Sequence, residues 1–499
     1  MSTNCRVTRQ WPAVGGNVRR WDVARTHRLN SSHWSTALGQ SLNADLLAYL
    51  DTVRNRCEYE GSANPTIDGM IFTHQNDIVG RDGPTLQVQS DSDSYNDWLE
   101  FQWQDWFRSP LPNPRISGAQ WLRLTIRTLH QAGEYLAQKV TKRNVTTPCA
   151  MRIKPIHPSR LQTPPMQAGN PRVIMGIELS EDGEPQHYYI QEPNTHGGFQ
   201  LPMGEPTRLS PDDIIHQFIL REEDQIRGCP WLAASLQPAA DLKDYDYDVS
   251  DCARQAANTG VYWYSDSPEA RFLAVSEQLE LERGTQATGP PGWKPAMLTP
   301  QQPSTQYPDY RRERQGDLGR PIGMPAMMVR LDASRHNYSS ARFDDQGWGR
   351  AIQAIQYWIS GTPKATGMLS ELVDDVDREA SLFFRARREA IPLRPPEVSY
   401  EWTWPVRPHV DPQKEGLGER IGIENGTLAF ADACASRGSD EDSIIAKQER
   451  TNQKLAAKGM PPLPPIGAYP KSPVDFTGVY VEEEDRVNNV ASEKEPANA

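Results

Sequence analysis

A chain of 499 residues with 37% apolar residues, 42 prolines and a formal net charge of −12 has room for two to four domains and a sizeable core. It is nevertheless polar and heavily punctuated, so part of its apolar surface is expected to lie in contacts between subunits or beside irregular segments. The acidic balance argues against gripping duplex DNA by phosphate neutralisation, which needs clustered Lys and Arg, and no apolar run approaches the roughly 20 residues that cross a bilayer.

Residues 1–36 open the chain with six arginines (Arg6, Arg9, Arg19, Arg20, Arg25, Arg28) against Asp22 alone, which predicts a flexible Arg-rich arm or a disordered solubilising end. From 37 to 235 the pattern is mixed. Helical spacing at Leu46, Leu47, Leu50 and Val53, and at Trp121, Leu122, Ile126 and Leu129, alternates with strand-like stretches from Val173 to Leu179 and from His187 to Gln191. The six cysteines, Cys5, Cys57, Cys149, Cys229, Cys252 and Cys434, have neither zinc-site nor disulfide spacing. They read as reduced thiols in a cytoplasm.

Residues 236–259 predict a long polar helix. Leu242, Tyr245, Val249, Cys252 and Ala256 recur at three- and four-residue intervals and make one packing face. Asp241, Asp244, Asp248 and Asp251 recur in the same way on a neighbouring face, where like charges destabilise a helix by a few tenths of a kcal/mol per pair, about 0.2–0.5. Helix stability alone does not select such a stripe; it is a solvated face or a functional one.

Residues 260–307 lose helical periodicity and gain Gly289-Pro290-Pro291-Gly292, Pro295, Pro300 and Pro303, with Trp263, Tyr264 and Trp293 as aromatics for an interface or for a local core. A helix is expected over 308–330, starting at Pro308 and shortened or kinked by Gly316, Gly319 and Pro321. A loop over 331–340 precedes a further helix within 341–410, with Phe343, Trp348, Ile352, Ile355 and Ile359 on one side. Residues 411–458 are nearly all helical in pattern, with Gly438 and Gly459 as stops and Ser439 and Asp442 as a start, and the prolines from Pro461 to Pro465 end the folded part. The acidic end, 467–499, is expected to be disordered.

Catalytic signatures are missing: no phosphate loop of the form G-x-x-x-x-G-K-[ST], no H-E-x-x-H and no G-x-S-x-G. Gly416, Gly418 and Gly422 miss the dinucleotide spacing. Asp91, Asp93 and Asp97 lack the glycine and glutamate of a calcium loop. Asp213 and His216 have the chemistry of an acid/base pair, but a His beside Ile214-Ile215 reads better as a hydrogen-bonded structural residue. No catalytic residue, metal site or cofactor is expected.

A set of ordered motifs says more than composition does. Arg208-Leu209-Ser210-Pro211-Asp212-Asp213-Ile214-Ile215-His216 is followed by Arg221, Gln225 and Arg227-Gly228-Cys229-Pro230, then by the helix through Asp241 and Tyr245. Pro291-Gly292-Trp293 with Leu298-Thr299-Pro300 comes next, then Gly323-Met324-Pro325, Leu331-Asp332 and Asn337-Tyr338-Ser339-Ser340-Ala341-Arg342. Asn76-Asp77-Ile78-Val79-Gly80 and His130-Gln131-Ala132-Gly133-Glu134 stand upstream. In this order, over roughly residues 40–465, the chain resembles the portal proteins of tailed bacteriophages, in particular the lambda-like portal family.

That resemblance implies an α+β portal fold: a wing from 37–235 resumed in 341–410, a two-helix stem from 236–259 and 308–330, a clip at 260–307, a tunnel loop at 331–340 and a helical crown at 411–466. It implies a homo-oligomeric ring, a 12-mer, at one capsid vertex of the virion, assembled in the host cytoplasm. Its partners would be the terminase large subunit, the major capsid and scaffolding proteins, and neck or adaptor proteins, with double-stranded DNA passing through without sequence specificity and no membrane involved. Asp241, Asp244, Asp248 and Asp251 would then line the DNA channel with Arg335, His336 and Asn337, while Trp263, Tyr264 and Trp293 would meet terminase or neck proteins. At 1.5 Å per residue a helix of about 20 residues spans about 30 Å and passes about 18 phosphate charges of a duplex. The other reading is a different ring-forming neck or baseplate protein, which needs no acidic channel helix.

Overall fold

The computed structural model describes residues 39–141, 147–192, 205–257, 261–264, 294–297, 305–363, 365–407, 412–439 and 441–463. The expectations for the arm at 1–36 and the tail at 467–499 fall outside the described residues. The fold is α+β.

Two helices, α1 (Leu42–Ala63) and α2 (Pro65–Val79), open the described chain and break at Asn64. The Asn64 side chain accepts from the backbone N–H groups of Thr66 and Ile67, and Pro65 fills the first helical position, where a missing N–H costs nothing. Leu46, Leu50 and Cys57 turn inward, whereas Leu47, expected on the same face, points to solvent.

Strand β1 (Thr85–Gln89) leads to α3 (Asp93–Phe107), which buries Tyr95, Leu99, Trp103 and Trp106. A capping box of Ser117 and Gln120 starts α4 (Gly118–Ala132), and Gly133 ends it at φ 83°, a left-handed conformation that favours glycine. Strand β2 (Glu134–Thr141) begins at the next residue, so the turn aims it directly off the helix end.

Next come β3 (Met151–Ile156), β4 (Val173–Ile174), β5 (Ile177–Leu179), β6 (Pro185–Ile190), β7 (Thr207–Leu209) and β8 (Ile214–Phe218). They form two antiparallel sheets, ordered β3-β2-β8 and β4-β5-β6-β7. The strand read from Val173 to Leu179 is split in two because Met175 and Gly176 adopt φ 49° and 87°, which reverses the chain.

The long polar helix is α5 (Leu236–Ala257); β9 (Val261–Tyr264) and β10 (Lys294–Met297) then pair antiparallel. The one helix expected over 308–330 is two: α6 (Tyr307–Gly319) and α7 (Ala326–Arg330), separated by a 3-10 turn at Arg320–Ile322 that contains Pro321. Gly319 permits the sharp return, since a Cβ there would lie 2.4 Å from Val329 Cγ2 and 2.6 Å from the Met324 carbonyl oxygen.

Helix α8 (Tyr338–Ser360), a hairpin of β11 (Gly361–Thr362) and β12 (Ala365–Thr366), and α9 (Met368–Ala386) lead back to β13 (Ser399–Thr403). That strand pairs antiparallel with β1, from Thr85 opposite Thr403 to Gln89 opposite Ser399. Three helices follow: α10 (Pro412–Glu424), α11 (Phe430–Ser436) and α12 (Glu441–Ala457). Gly438 and Gly459, at φ 69° and 68°, close the last two.

The main core gathers α1 to α4, α8 and α9 around tryptophans. Trp103 stacks near Trp106, with ring centroids 5.0 Å apart, and meets Trp402 of β13 at 5.3 Å. Each such burial contributes about 1.5–3 kcal/mol or more. Between α2 and α4 lies a fully buried pair, His74 and His130, with His74 Nδ1 2.8 Å from His130 Nε2 and His130 Nδ1 2.9 Å from the Ile126 carbonyl oxygen. Two neutral imidazoles satisfy that chain, His130 donating to Ile126 and accepting from His74. Burial pushes His74 well down from its ordinary value and His130 down to about 4. No helix among the described residues is long and apolar enough to cross a membrane.

Candidate functional site

The acidic helix is built from its buried side outward. Ala239, Leu242 and Val249 of α5 are buried, and Tyr245 sits against Tyr310 and Tyr307 of α6 at 5.0 and 5.9 Å between ring centroids. Asp246 fastens the two helices: it accepts from the Tyr307 hydroxyl at 2.7 Å and from Arg311 Nε at 3.0 Å. Lys243 ties the other flank to α1, 3.6 Å from Glu60 and over the Tyr59 ring.

With its core side so fixed, α5 presents Asp241, Asp244, Asp248 and Asp251 to solvent. Gln237 donates to Asp241 at 2.7 Å, and Arg254 sits 2.9 Å from Asp251 in an exposed pair of small worth. Asp244 and Asp248 have no ion pair among the described residues. Their mutual repulsion reaches about 8 Å at physiological salt, so the stripe acts as one negative surface.

The segment after α7 is more ordered than a loop without backbone pairing. Leu331 ends α7 at φ 51°, strained for a branched side chain. Asp332 N–H donates to the Met327 carbonyl and His336 N–H to that of Ala333, and Asp332 Oδ1 accepts from Ser334 N–H. Arg335 lies 2.6 Å from Asp309 of α6 and His336 3.4 Å from Asp344 of α8. Asn337 caps α8, its side chain accepting from Ser340 N–H at 2.8 Å while Ser340 Oγ accepts from Asn337 N–H. That box starts α8 at Tyr338, so the loop closes three residues earlier than expected.

Trp263 and Tyr264 lie on β9, opposite Pro295 and Lys294 of β10; Trp293 falls outside the described residues. Phe343, expected on the packing side of α8, is 71% exposed, while Trp348, Ile352 and Ile359 are buried. The apolar spacing extends one turn further along α8 than the core it packs against.

Behind these surfaces stands a buried polar node that sequence spacing did not single out. Glu134, at the start of β2, accepts from Arg227 Nε and Nη2, from Gly228 N–H at 2.9 Å and pairs with His216 Nε2 at 3.0 Å. Burial alone would raise its carboxyl, but the Arg227 guanidinium and the His216 hydrogen bond hold it well below the usual carboxylate range. His216 is therefore a structural partner of Glu134, with Tyr188 also against its ring, and Asp213 remains exposed at the preceding turn. Gln225 braces the same turn by donating to the Arg227 carbonyl and accepting from Arg221 N–H. The signal was present in the ordered motifs Gly133-Glu134 and Arg227-Gly228, but nothing local pairs them.

A second carboxylate, Asp77 of α2, accepts from Trp348 Nε1 at 2.6 Å and lies 4.0 Å from Arg407, which also pairs with Asp345 at 2.7 Å. Asp77 thus joins α2, α8 and the strap after β13. Among the described residues no group of three or more His, Cys, Asp or Glu is placed to hold a metal ion.

The chain is similar to known proteins. The model of the family described as phage portal protein, lambda family, matches residues 27–356. A probable portal protein of Halomonas phage phiHAP-1 is 24% identical over 481 residues, covering 89% of this chain and 88% of that one. Among solved structures, the neck of an empty gene transfer agent particle aligns over 85% of this chain and 95% of its own at 14% identity and TM-score 0.42. A portal protein of the HK97 family from Corynebacterium diphtheriae aligns over 55% and 80% at 10% identity and TM-score 0.28.

Proposed function

The chain belongs to the lambda family of phage portal proteins, and from that premise we propose that it closes into a ring of twelve copies whose α5 helices form the wall of a DNA channel. It is a virion component and a head-tail connector. The observation that carries the channel reading is the single face of exposed carboxylates on α5, Asp241, Asp244, Asp248 and Asp251, on a helix whose other side is buried and locked to α6 through Asp246.

A passage for DNA must attract it weakly enough to let it slide. Twelve acidic chains at −12 each give a ring of roughly −144 before counterions, so a polyanion finds no adhesive surface. Arg335 and His336 already face Asp309 and Asp344, which leaves them little free charge to hold a phosphate.

On this reading α5 with α6 and α7 is the stem, β9 and β10 belong to the clip, the segment 331–337 is the tunnel loop, and α10 to α12 form the crown. Residues 37–235 with 341–410 make the wing. The clip, with Trp263, Tyr264 and Trp293, would receive the terminase large subunit during packaging and neck or adaptor proteins afterwards. Capsid and scaffolding proteins would surround the ring during assembly in the host cytoplasm. The protein contributes shape and charge and no catalysis of its own.

Negative-stain imaging and native mass measurement of the purified protein test the ring. Closed particles with a central hole and a mass near twelve times 56.2 kDa are expected; a stable monomer over a broad concentration range would overturn the proposal.

A further inference from the structure

A cavity of about 520 Å³ opens where the start of α2, the first turns of α6 and the end of α7 meet. Thr66, Arg311, Arg312, Gln315, Arg330 and Asp332 are its polar lining. Arg311 and Gln315 stand one helical turn apart and so share a face of α6. The sharp return at Gly319 brings α7 back along α6 and sets Arg330 beside Arg312, where Arg330 Nη1 donates to the Arg312 carbonyl at 2.9 Å.

The charges around this cavity do not cancel. Arg311 is taken by Asp246 of α5, with Nε 3.0 Å from Oδ2. Arg312 Nη2 lies 3.8 Å from Asp332 Oδ2, longer than a hydrogen bond. Arg330 has no carboxylate within ion-pair distance among the described residues, and its Nε is shielded from solvent without a hydrogen-bond partner. Ser334, and then the Arg312 and Arg330 guanidiniums, hold Asp332 below its ordinary value, so this one carboxylate serves two cations. Three guanidiniums against Asp246 and Asp332 leave one positive charge over. Gln315 adds a second kind of unmet donor: it is only 8% exposed, and its amide makes no hydrogen bond among the described residues, an arrangement that folded chains avoid unless another group answers it.

Guanidinium forks match the oxygens of a phosphate, and an amide and a hydroxyl supply the neutral donors that complete its shell. We propose that this cavity binds a small tetrahedral oxyanion of the phosphate class, held by Arg330 and Arg312 with Gln315 and Thr66 donating to it. An apolar or cationic occupant would leave the surplus guanidinium uncompensated. Bound there, the ion joins α2, α6 and α7 at the root of the segment that begins with Asp332. The site lies within one chain and needs no ring, so it stands or falls separately from the function proposed above.

The test titrates the full-length protein with inorganic phosphate at fixed pH and ionic strength, chloride balancing the anions, and follows the phosphorus NMR line width of the ligand and the thermal unfolding of the protein. Wild type is compared with Arg330→Gln, Gln315→Leu and Arg314→Gln; Arg314 pairs with Asp317 away from the cavity. Expected are saturable line broadening and a phosphate-dependent rise in unfolding temperature in wild type and Arg314→Gln. Affinity should be about tenfold weaker in Arg330→Gln, the loss of one hydrogen bond to a charged group, and weakened to a lesser degree in Gln315→Leu. That last variant keeps the volume and removes the buried amide, so it carries the test if Arg330→Gln fails to fold. No saturable response in wild type, or wild-type affinity in the folded variants of Arg330 and Gln315, would overturn the site. A response to a short DNA duplex with none to inorganic phosphate would overturn it too, by making these arginines a nucleic-acid contact.

Discussion

Arg227 meets Glu134 side-on across 93 positions of sequence: its Nε lies 2.9 Å from both carboxylate oxygens and its Nη2 2.5 Å from Oε1, with neither side chain reaching solvent. The pair joins the turn after β8 to the first residue of β2, where Gly228 N–H completes the set.

Removing Arg227 takes the nearest cation from the buried Glu134, whose remaining partners are His216 Nε2, the Gly228 N–H and Arg54 at 3.8 Å, and breaking such a buried pair costs about 3–5 kcal/mol. Arg227→Met is therefore expected to lower the unfolding midpoint in urea markedly, and Arg227→Lys to restore little, because an ammonium cannot offer the fork that Glu134 accepts. Glu134→Gln also flattens the acid limb. A carboxyl held below its ordinary value in the folded chain contributes stability that is present above pH 4.5 and lost as pH falls below it. Equal acid sensitivity in Glu134→Gln and wild type would contradict this assignment.

The glycines beside the pair are expected to tolerate nothing larger. A Cβ on Gly228 would stand 2.2 Å from the Gly133 carbonyl oxygen, and one on Gly133 would stand 2.2 Å from the Cys229 carbonyl carbon. Both atoms are backbone, so neither can swing aside. Gly133→Ala and Gly228→Ala should give insoluble or strongly destabilised protein. Gly69→Ala, in the exposed middle of α2 with nothing within 4 Å, should instead stabilise by about 0.5–1 kcal/mol, as measured by thermal unfolding.

The pair His74 and His130 predicts a second pH dependence. Both are pushed down when folded, so the unfolded chain takes up protons first, and stability falls as pH drops from about 6.5 towards about 4. Trp231 and Trp348 lie 6.0 and 4.9 Å from the His74 ring, so tryptophan fluorescence during urea titrations at pH 7 and 5 reads the effect. His74→Leu, which removes one imidazole, should reduce the difference between the two pH values.

The acidic face of α5 gives the functional prediction. Asp244→Lys, Asp248→Lys and Asp251→Lys together should leave the helix formed, since these side chains are exposed, and should slow packaging in a way that salt relieves. Packaging unaltered at low ionic strength would make the stripe an ordinary solvated surface.

How much of this was legible depended on whether the deciding partner was near in sequence. Leu242 and Val249 sit seven residues apart on one face of α5, so periodicity alone oriented the helix and exposed its aspartates. Pro321 marked the break between α6 and α7, but the close return of Val329 onto Gly319 depends on tertiary contact. Phe343 shares the period of Trp348 and Ile352 only loosely, and no pattern within α8 tells where its partner helices stop. Glu134 with Arg227, and Asp77 with Trp348, join positions 93 and 271 apart. A single sequence offers no local signal for such pairs. Asn337, a channel residue on the family resemblance, also caps α8, and its box with Ser340 is spelled locally in Asn337-Tyr338-Ser339-Ser340.

The pairing of β1 with β13 sets a clock on biosynthesis. Val88 finds its partner at Tyr400, about 310 residues later, so at roughly 5–20 residues per second the ribosome needs on the order of 15–60 s to deliver the second strand. Until then β1 has an open edge, and Trp103 lacks the Trp402 ring that covers it. The nascent chain must keep that edge from pairing with another copy's until β13 emerges. The core around Trp103 thus closes only after most of the chain has been made.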